Sequence, residues 1–113
     1  MNLNVGIWKP RINQIILGNQ NTDFSYNFTS QYIGIFASTT NVNPRNVVGY
    51  LTQTLYIASL GGRSEINERF TLINKIPKVL IFPVISNEFN LRFRFASPVG
   101  NCQIKIWEYV INP

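Results

Sequence analysis

Acid–base chemistry in this chain would have to come from five carboxylates, Asp23, Glu65, Glu68, Glu88 and Glu108, because there is no histidine and only one cysteine. Without histidine, neither a Ser-His-Asp nor a Cys-His nucleophilic arrangement can be assembled, and a Cys/His zinc site lacks its ligands. A glycosidase needs two carboxylates facing each other across a cleft. Glu65 and Glu68 sit close together beside a possible helical turn and read as a solvated pair. Glu108 falls on an otherwise apolar strand face, where it is expected to be rim-exposed or paired with a base rather than catalytic. Cys102 takes an inward position and reads as an inert, buried thiol. Gly61-Gly62-Arg63-Ser64 matches neither a P-loop nor a dinucleotide fingerprint, and reads as a turn. Asp23 and Glu88 lack the density and spacing of a calcium loop. The expectation is a protein that is not an enzyme and uses no metal or cofactor.

Binding chemistry is better represented. The segment from Phe89 to Ile111 alternates Phe89, Leu91, Phe93 and Phe95 with Asn90, Arg92 and Arg94, the period of a half-buried strand. Ser97-Pro98-Val99-Gly100 is a turn, after which Cys102, Ile104 and Ile106 resume the alternation. A hairpin closed by that turn would set Phe95 against Cys102, Phe93 against Ile104 and Leu91 against Ile106 on one face. On the other face Arg92 would lie opposite Lys105, a like-charge pair that asks for an anionic neighbour. Farther along that outer face Trp107 and Tyr109 require cover. A second apolar candidate is the run Val79 to Ile85, apolar on both faces and interrupted by Pro83, which places it at an edge or bulge. Such an edge needs cover from a partner or from its own chain. The expected partner-binding residues are therefore Arg92, Arg94, Lys105, Trp107, Tyr109, Val79, Ile81 and Pro83.

The elements that position these residues read as strands throughout. Leu3, Val5 and Ile7 suggest a first strand ending near Trp8; Lys9-Pro10 breaks it, and Ile12 to Leu17 form a second. Phe24, Tyr26 and Phe28 alternate with polar residues, and Tyr32 to Ala37 continue as strand. A tight turn between them would pair Phe28 with Ile33 and Tyr26 with Ile35, although Ser30-Gln31 is a poor hairpin turn and one bent strand is the alternative. Residues 38–46 form a polar loop. Val47 to Ser59 is a long strand ended by Gly61-Gly62, with Leu51 on one face and Tyr50 on the other. Arg63 to Glu68 suggest one helical turn capped by Ser64, and Phe70 to Asn74 a short strand. About eight short strands separated by Gly, Pro and Asn turns predict one all-β domain spanning residues 1–113: an antiparallel β-sandwich of jelly-roll type, or alternatively a small β-barrel.

Composition narrows the partners. The 113 residues are 45% hydrophobic but only 13% charged, against a usual charged share of about 25%, and fifteen asparagines supply much of the polarity. The surface therefore relies on amides, as suits close contact with neighbours. A net charge of +5, spread without a Lys/Arg run, permits attraction to an acidic surface but does not imply nucleic-acid binding. A single cysteine makes no intramolecular disulfide. No signal peptide or membrane span is evident, so the expectation is a protein made in the cytoplasm. The reading that fits these features is a non-enzymatic structural protein docking on protein subunits, either as a homo-oligomer or on a capsid or tail protein. A virion accessory component, a phage cement (decoration) or tail-associated protein, would be located in the virion. The alternative is a lectin-like carbohydrate-binding module using Trp8, Trp107, Tyr32 or Tyr109 as a sugar platform. Nucleic-acid binding through Arg92, Arg94 and Lys105 would be weak.

Overall fold

The computed structural model describes residues 6–18, 20–28, 30–39, 46–57, 61–81, 89–96 and 100–111. Eight strands follow one another in the chain: β1 (Gly6–Ile16), β2 (Asn21–Tyr26), β3 (Tyr32–Thr39), β4 (Val47–Ile57), β5 (Gly62–Leu72), β6 (Lys78–Ile81), β7 (Phe89–Ala96) and β8 (Cys102–Ile111). They form two four-stranded antiparallel sheets, sheet A in the order β1-β8-β3-β6 and sheet B in the order β2-β7-β4-β5. The pairing has a simple rule. β1 pairs with β8, β2 with β7, β3 with β6 and β4 with β5, as though one long hairpin with its bend between β4 and β5 had been rolled up. Two further seams, β3 with β8 and β4 with β7, close the roll. This is the jelly-roll arrangement of eight strands in two sheets.

The roll overturns the expected closing hairpin. β7 and β8 lie in different sheets and do not pair; the turn expected at residues 97–99 lies outside the described residues. Cys102 is opposite Ile16 and Thr39, Ile104 opposite Gln14 and Ala37, and Ile106 opposite Ile12 and Ile35. Phe93 is opposite Phe24 and Leu51, and Phe95 opposite Thr22 and Gly49. The pairing of Tyr26 with Ile35 fails in the same way: Tyr26 is opposite Leu91, whereas Ile35 faces Ile106 and Lys78. Alternation tells which face a side chain takes, but the inner faces of both layers carry the same alternation.

Between the layers, Leu91, Phe93 and Phe95 of β7 meet Ile104, Ile106 and Cys102 of β8 in a core with Ile16, Ile33, Ile35, Ala37, Leu51 and Leu72, all fully or almost fully buried. Phe93 and Phe95 stack, Phe28 meets Phe93 edge-on, and Phe70 meets Phe95 edge-on, the offset and edge geometries that aromatic quadrupoles favour. Lys78 caps one rim with its Nζ 5.8 Å from the centre of the Phe70 ring.

Two local expectations change with the fold. Lys9-Pro10 does not break β1; the strand runs on through a register shift between Pro10 and Ile12. β1 is an edge strand, where a residue lacking N–H is tolerated and bulges are common. Residues 63–68 are not a helical turn but part of β5, which pairs with β4 from Gly62 to Leu72. Glu65 and Glu68, three apart in a strand, point to opposite faces, and both are exposed. The long β4–β5 ladder overrides the weak local preference for a turn.

Candidate functional site

The register sorts the predicted binding residues onto the two outer faces. On sheet A, cross-strand neighbours form rows, because residues directly opposite in an antiparallel pair share a face. Trp8 is opposite Tyr109, and Tyr32 opposite Ile81. Pro10 is opposite Trp107, which is opposite Gly34, which is opposite Val79. Asn13 is opposite Lys105 and Lys105 opposite Phe36. The rings join these rows. Trp8 lies 5.2 Å from Tyr109, Tyr32 6.0 Å from Tyr109 and Phe36 6.5 Å from Trp107, centre to centre.

This face is apolar and accessible. Trp8 is 44% exposed, Val79 52% and Ile81 69%. The Trp8 ring reaches across β8 to Gly34, where an added Cβ would lie 3.2 Å from the ring; glycine leaves room for that close approach. The Tyr109 hydroxyl accepts a hydrogen bond from the Gly6 N–H at 3.1 Å. A shallow cleft of about 490 Å³ opens beside Tyr32 and Tyr109. The three ring pairs are inclined at 56°, 83° and 71°, so the face is a ridged aromatic surface and not the flat platform on which a sugar ring stacks.

Of the predicted set, Val79, Ile81, Trp107, Tyr109 and Lys105 come together on this face, with Trp8, Tyr32 and Phe36 added to them. The apolar run at the edge is described only for residues 78–81, which form β6; Pro83 lies outside the described residues. Within β6 the double-sided apolar character is real. Leu80 packs against the core while Val79 and Ile81 face out.

Arg92 and Arg94 go elsewhere. They occupy the outer face of sheet B, and Lys105 the outer face of sheet A, so the expected patch of three cations is split between opposite sides of the sandwich. Arg92 is opposite Ser25 and Thr52, and Arg94 opposite Asp23 and Tyr50. The carboxylate these arginines called for is Asp23 on β2: Arg92 donates to its Oδ2 at 2.5 Å, and Arg94 Nε lies 3.6 Å from its Oδ1. Both arginines are well exposed, so these pairs contribute little to stability.

The remaining titratable candidates are structural in placement. Glu108 is 1% exposed and accepts hydrogen bonds from Arg11 Nε at 2.9 Å and from the Ser30 N–H at 2.7 Å. It is paired with a base, as expected, but at the core instead of the rim. Arg11 is the extra residue of the β1 bulge, which aims it inward at Glu108. The sequence motif Lys9-Pro10-Arg11 carried that signal, in the proline that marks a bulge. Burial pushes the Cys102 thiol above its ordinary value. Among the described residues no group of three His, Cys, Asp or Glu side chains could hold a metal ion, and no helix is long and apolar enough to cross a membrane. Comparison with protein-family models, curated proteins and solved structures finds no match.

Proposed function

We propose that this chain is a non-enzymatic structural protein that docks on subunits of a larger protein assembly through the outer face of sheet A, as a cement or tail-associated component of a virion. The observation that carries the reading is the contiguous apolar face made by Trp8, Tyr32, Val79, Ile81, Trp107 and Tyr109. The four strands of sheet A, 11, 10, 8 and 4 residues long and about 4.8 Å apart, give the sheet a plan area on the order of 500 Å². That area, which includes Asn13 and Lys105, is in the range of the largest patches on monomers and below the roughly 800 Å² each partner gives to a standard interface. Jelly rolls are a recurrent architecture of capsid proteins, a likeness at the level of fold class only.

Charge favours a partner other than a second copy. Lys105 stands in the middle of the face, between Asn13 and Phe36, and no carboxylate accompanies it there among the described residues. Two copies stacked face to face would bring like charges into one apolar interface without compensation. The partner surface is therefore apolar and carries a carboxylate opposite Lys105.

The test is cosedimentation of the protein with virions purified from its source. Wild type is expected to sediment with the particles, and the Val79→Ser/Ile81→Ser double variant to stay in the supernatant with an unchanged circular dichroism spectrum. Lys105→Glu should weaken association more at low salt than at high salt. Sedimentation as a free species, or as a dimer that the double variant dissociates, overturns the proposal.

A further inference from the structure

We propose that the outer face of sheet B binds an acidic sugar, a hydroxyl-bearing ring with one carboxylate, in the groove beside Tyr50. This face is the opposite side of the sandwich from the docking face, and the inference does not depend on the docking proposal.

The groove is built by two adjacent rows across the sheet. One row runs Asp23, Arg94, Tyr50, Arg69 and the next Ser25, Arg92, Thr52, Asn67, each residue directly opposite the next. Asp23, Arg94, Tyr50, Arg92, Thr52 and Asn67 line a groove of about 300 Å³, the lower end of the size range of small-molecule clefts. A second groove of about 460 Å³ shares Asp23, Thr52 and Arg92 with it and is lined also by Glu65, so it suits a neutral sugar beside the acidic one rather than a second acidic ring.

Each group has a distinct part in recognition. Two guanidiniums, Arg92 and Arg94, face one carboxylate, Asp23, leaving the groove net positive. Arg92 spends a terminal nitrogen on Asp23. Arg94 approaches Asp23 only through Nε at 3.6 Å, beyond hydrogen-bond length, so its terminal fork is available. Arg69 is exposed on the far side of Tyr50 and forms no ion pair among the described residues. A fork of two parallel N–H donors is the arrangement that recognises a carboxylate. Tyr50, 43% exposed between Arg94 and Arg69, offers a ring on which the C–H face of a sugar can rest. Thr52 donates its hydroxyl to Asn67 Oδ1 at 2.7 Å, which turns the two N–H donors of the amide toward the ligand. Asp23, acceptor only, takes sugar hydroxyls.

Asp23 also sets selectivity. A carboxylate in the groove repels a second anionic group beside the first, so a polyphosphate or nucleic-acid backbone is disfavoured against a ligand with one charge and many hydroxyls. A bare anion would leave Tyr50, Thr52 and Asn67 unused.

The test is titration of the full chain, followed by amide chemical shifts, with galacturonate, with sialyllactose and with the neutral methyl ester of galacturonate. At least one of the two acidic probes should give saturable shifts at Tyr50, Thr52, Asn67 and Arg94. The methyl ester should bind at least about tenfold more weakly than galacturonate where the latter binds, and Arg94→Gln and Tyr50→Thr should each lose about tenfold. Lys9→Gln, on β1 of the other sheet, should leave these titrations unchanged. The proposal is overturned if neither acidic probe saturates, if the ester binds as well as the acid, or if inorganic phosphate reproduces the same shifts at the same concentration.

Discussion

Arg11 and Glu108 form an ion pair that ties three separate segments together at one end of the core. Arg11 Nε donates to Glu108 Oε2 at 2.9 Å while the other carboxylate oxygen accepts the Ser30 N–H at 2.7 Å. The bulge of β1, the middle of β8 and the segment leading into β3 thus converge on one buried carboxylate. Removing one partner of a buried pair strands the other and costs about 3–5 kcal/mol. Here Arg11 keeps 29% of its side chain accessible and can regain water, so Glu108→Ala should fall at the low end, about 3 kcal/mol. Arg11→Ala leaves a buried carboxylate holding only part of its partners and should cost a similar amount. Urea unfolding measures both; a loss under about 1 kcal/mol for Glu108→Ala would mean the pair is not what joins these segments.

Gln53 marks a place where the core is not satisfied. Its side chain points inward in the row Tyr26, Leu91, Gln53, Ile66, it is 2% exposed, and Oε1 has no hydrogen-bond partner among the described residues. A buried acceptor left unpaired costs about 1–3 kcal/mol. Gln53→Met keeps the length and flexibility of the chain and removes the amide. It should therefore raise stability by about 1 kcal/mol, read as a higher melting temperature. A lower melting temperature would show that the amide is paired in solution.

The turn after β5 guards the open edge of β3 beyond β6. Lys75 N–H donates to Ala37 O at 2.8 Å, and Asn74 Oδ1 accepts the Thr39 N–H at 2.7 Å. Lys75 holds φ at 63° to do so, a left-handed conformation that costs a non-glycine residue about 1–2 kcal/mol. Lys75→Gly should recover about 1 kcal/mol. Asn74→Ala should cost about 1 kcal/mol or more and speed amide exchange at Thr39. Unchanged exchange there would mean that Asn74 does not protect the edge.

How far the sequence reaches is clearest in Arg92 and Cys102. Both were placed on the correct side of their strands by alternation alone, Arg92 outward and Cys102 inward, and the all-β sandwich followed from the same period. The partner of each strand did not follow. A strand of inward phenylalanines can pair with its chain neighbour or with any other inward-facing strand, and nothing in a two-residue period distinguishes them. The proximity of β7 and β8 in sequence suggested a hairpin, whereas the roll pairs each with a strand far away in the chain. The basic patch inherited that error, because Lys105 joins Arg92 only if β7 and β8 share a sheet. By contrast, Val79 and Ile81 needed no partner assignment: a run that is apolar on both faces exposes one of them on any edge.

The Cys102 thiol gives the fold a dependence on alkaline pH. Its side chain is fully buried between Ile16 and Thr39, and burial disfavours the thiolate, raising its pKa above the ordinary 9.0 even though hydrogen bonding to the Ser38 backbone pulls the other way. The folded state therefore holds this proton more tightly than the unfolded chain. Its contribution is fully present below pH 9.0 and is lost as pH rises from there through the folded value. The urea midpoint of wild type should fall relative to that of Cys102→Ala as pH rises above 9.0, with the difference between them constant below it. Contributions common to both proteins cancel in that comparison. Labelling with a thiol reagent at pH 8 should be slow in the native protein and rapid in urea, since the thiolate is the reacting form. Rapid labelling without denaturant, or a midpoint difference that stays flat above pH 9.0, would place the thiol in contact with water.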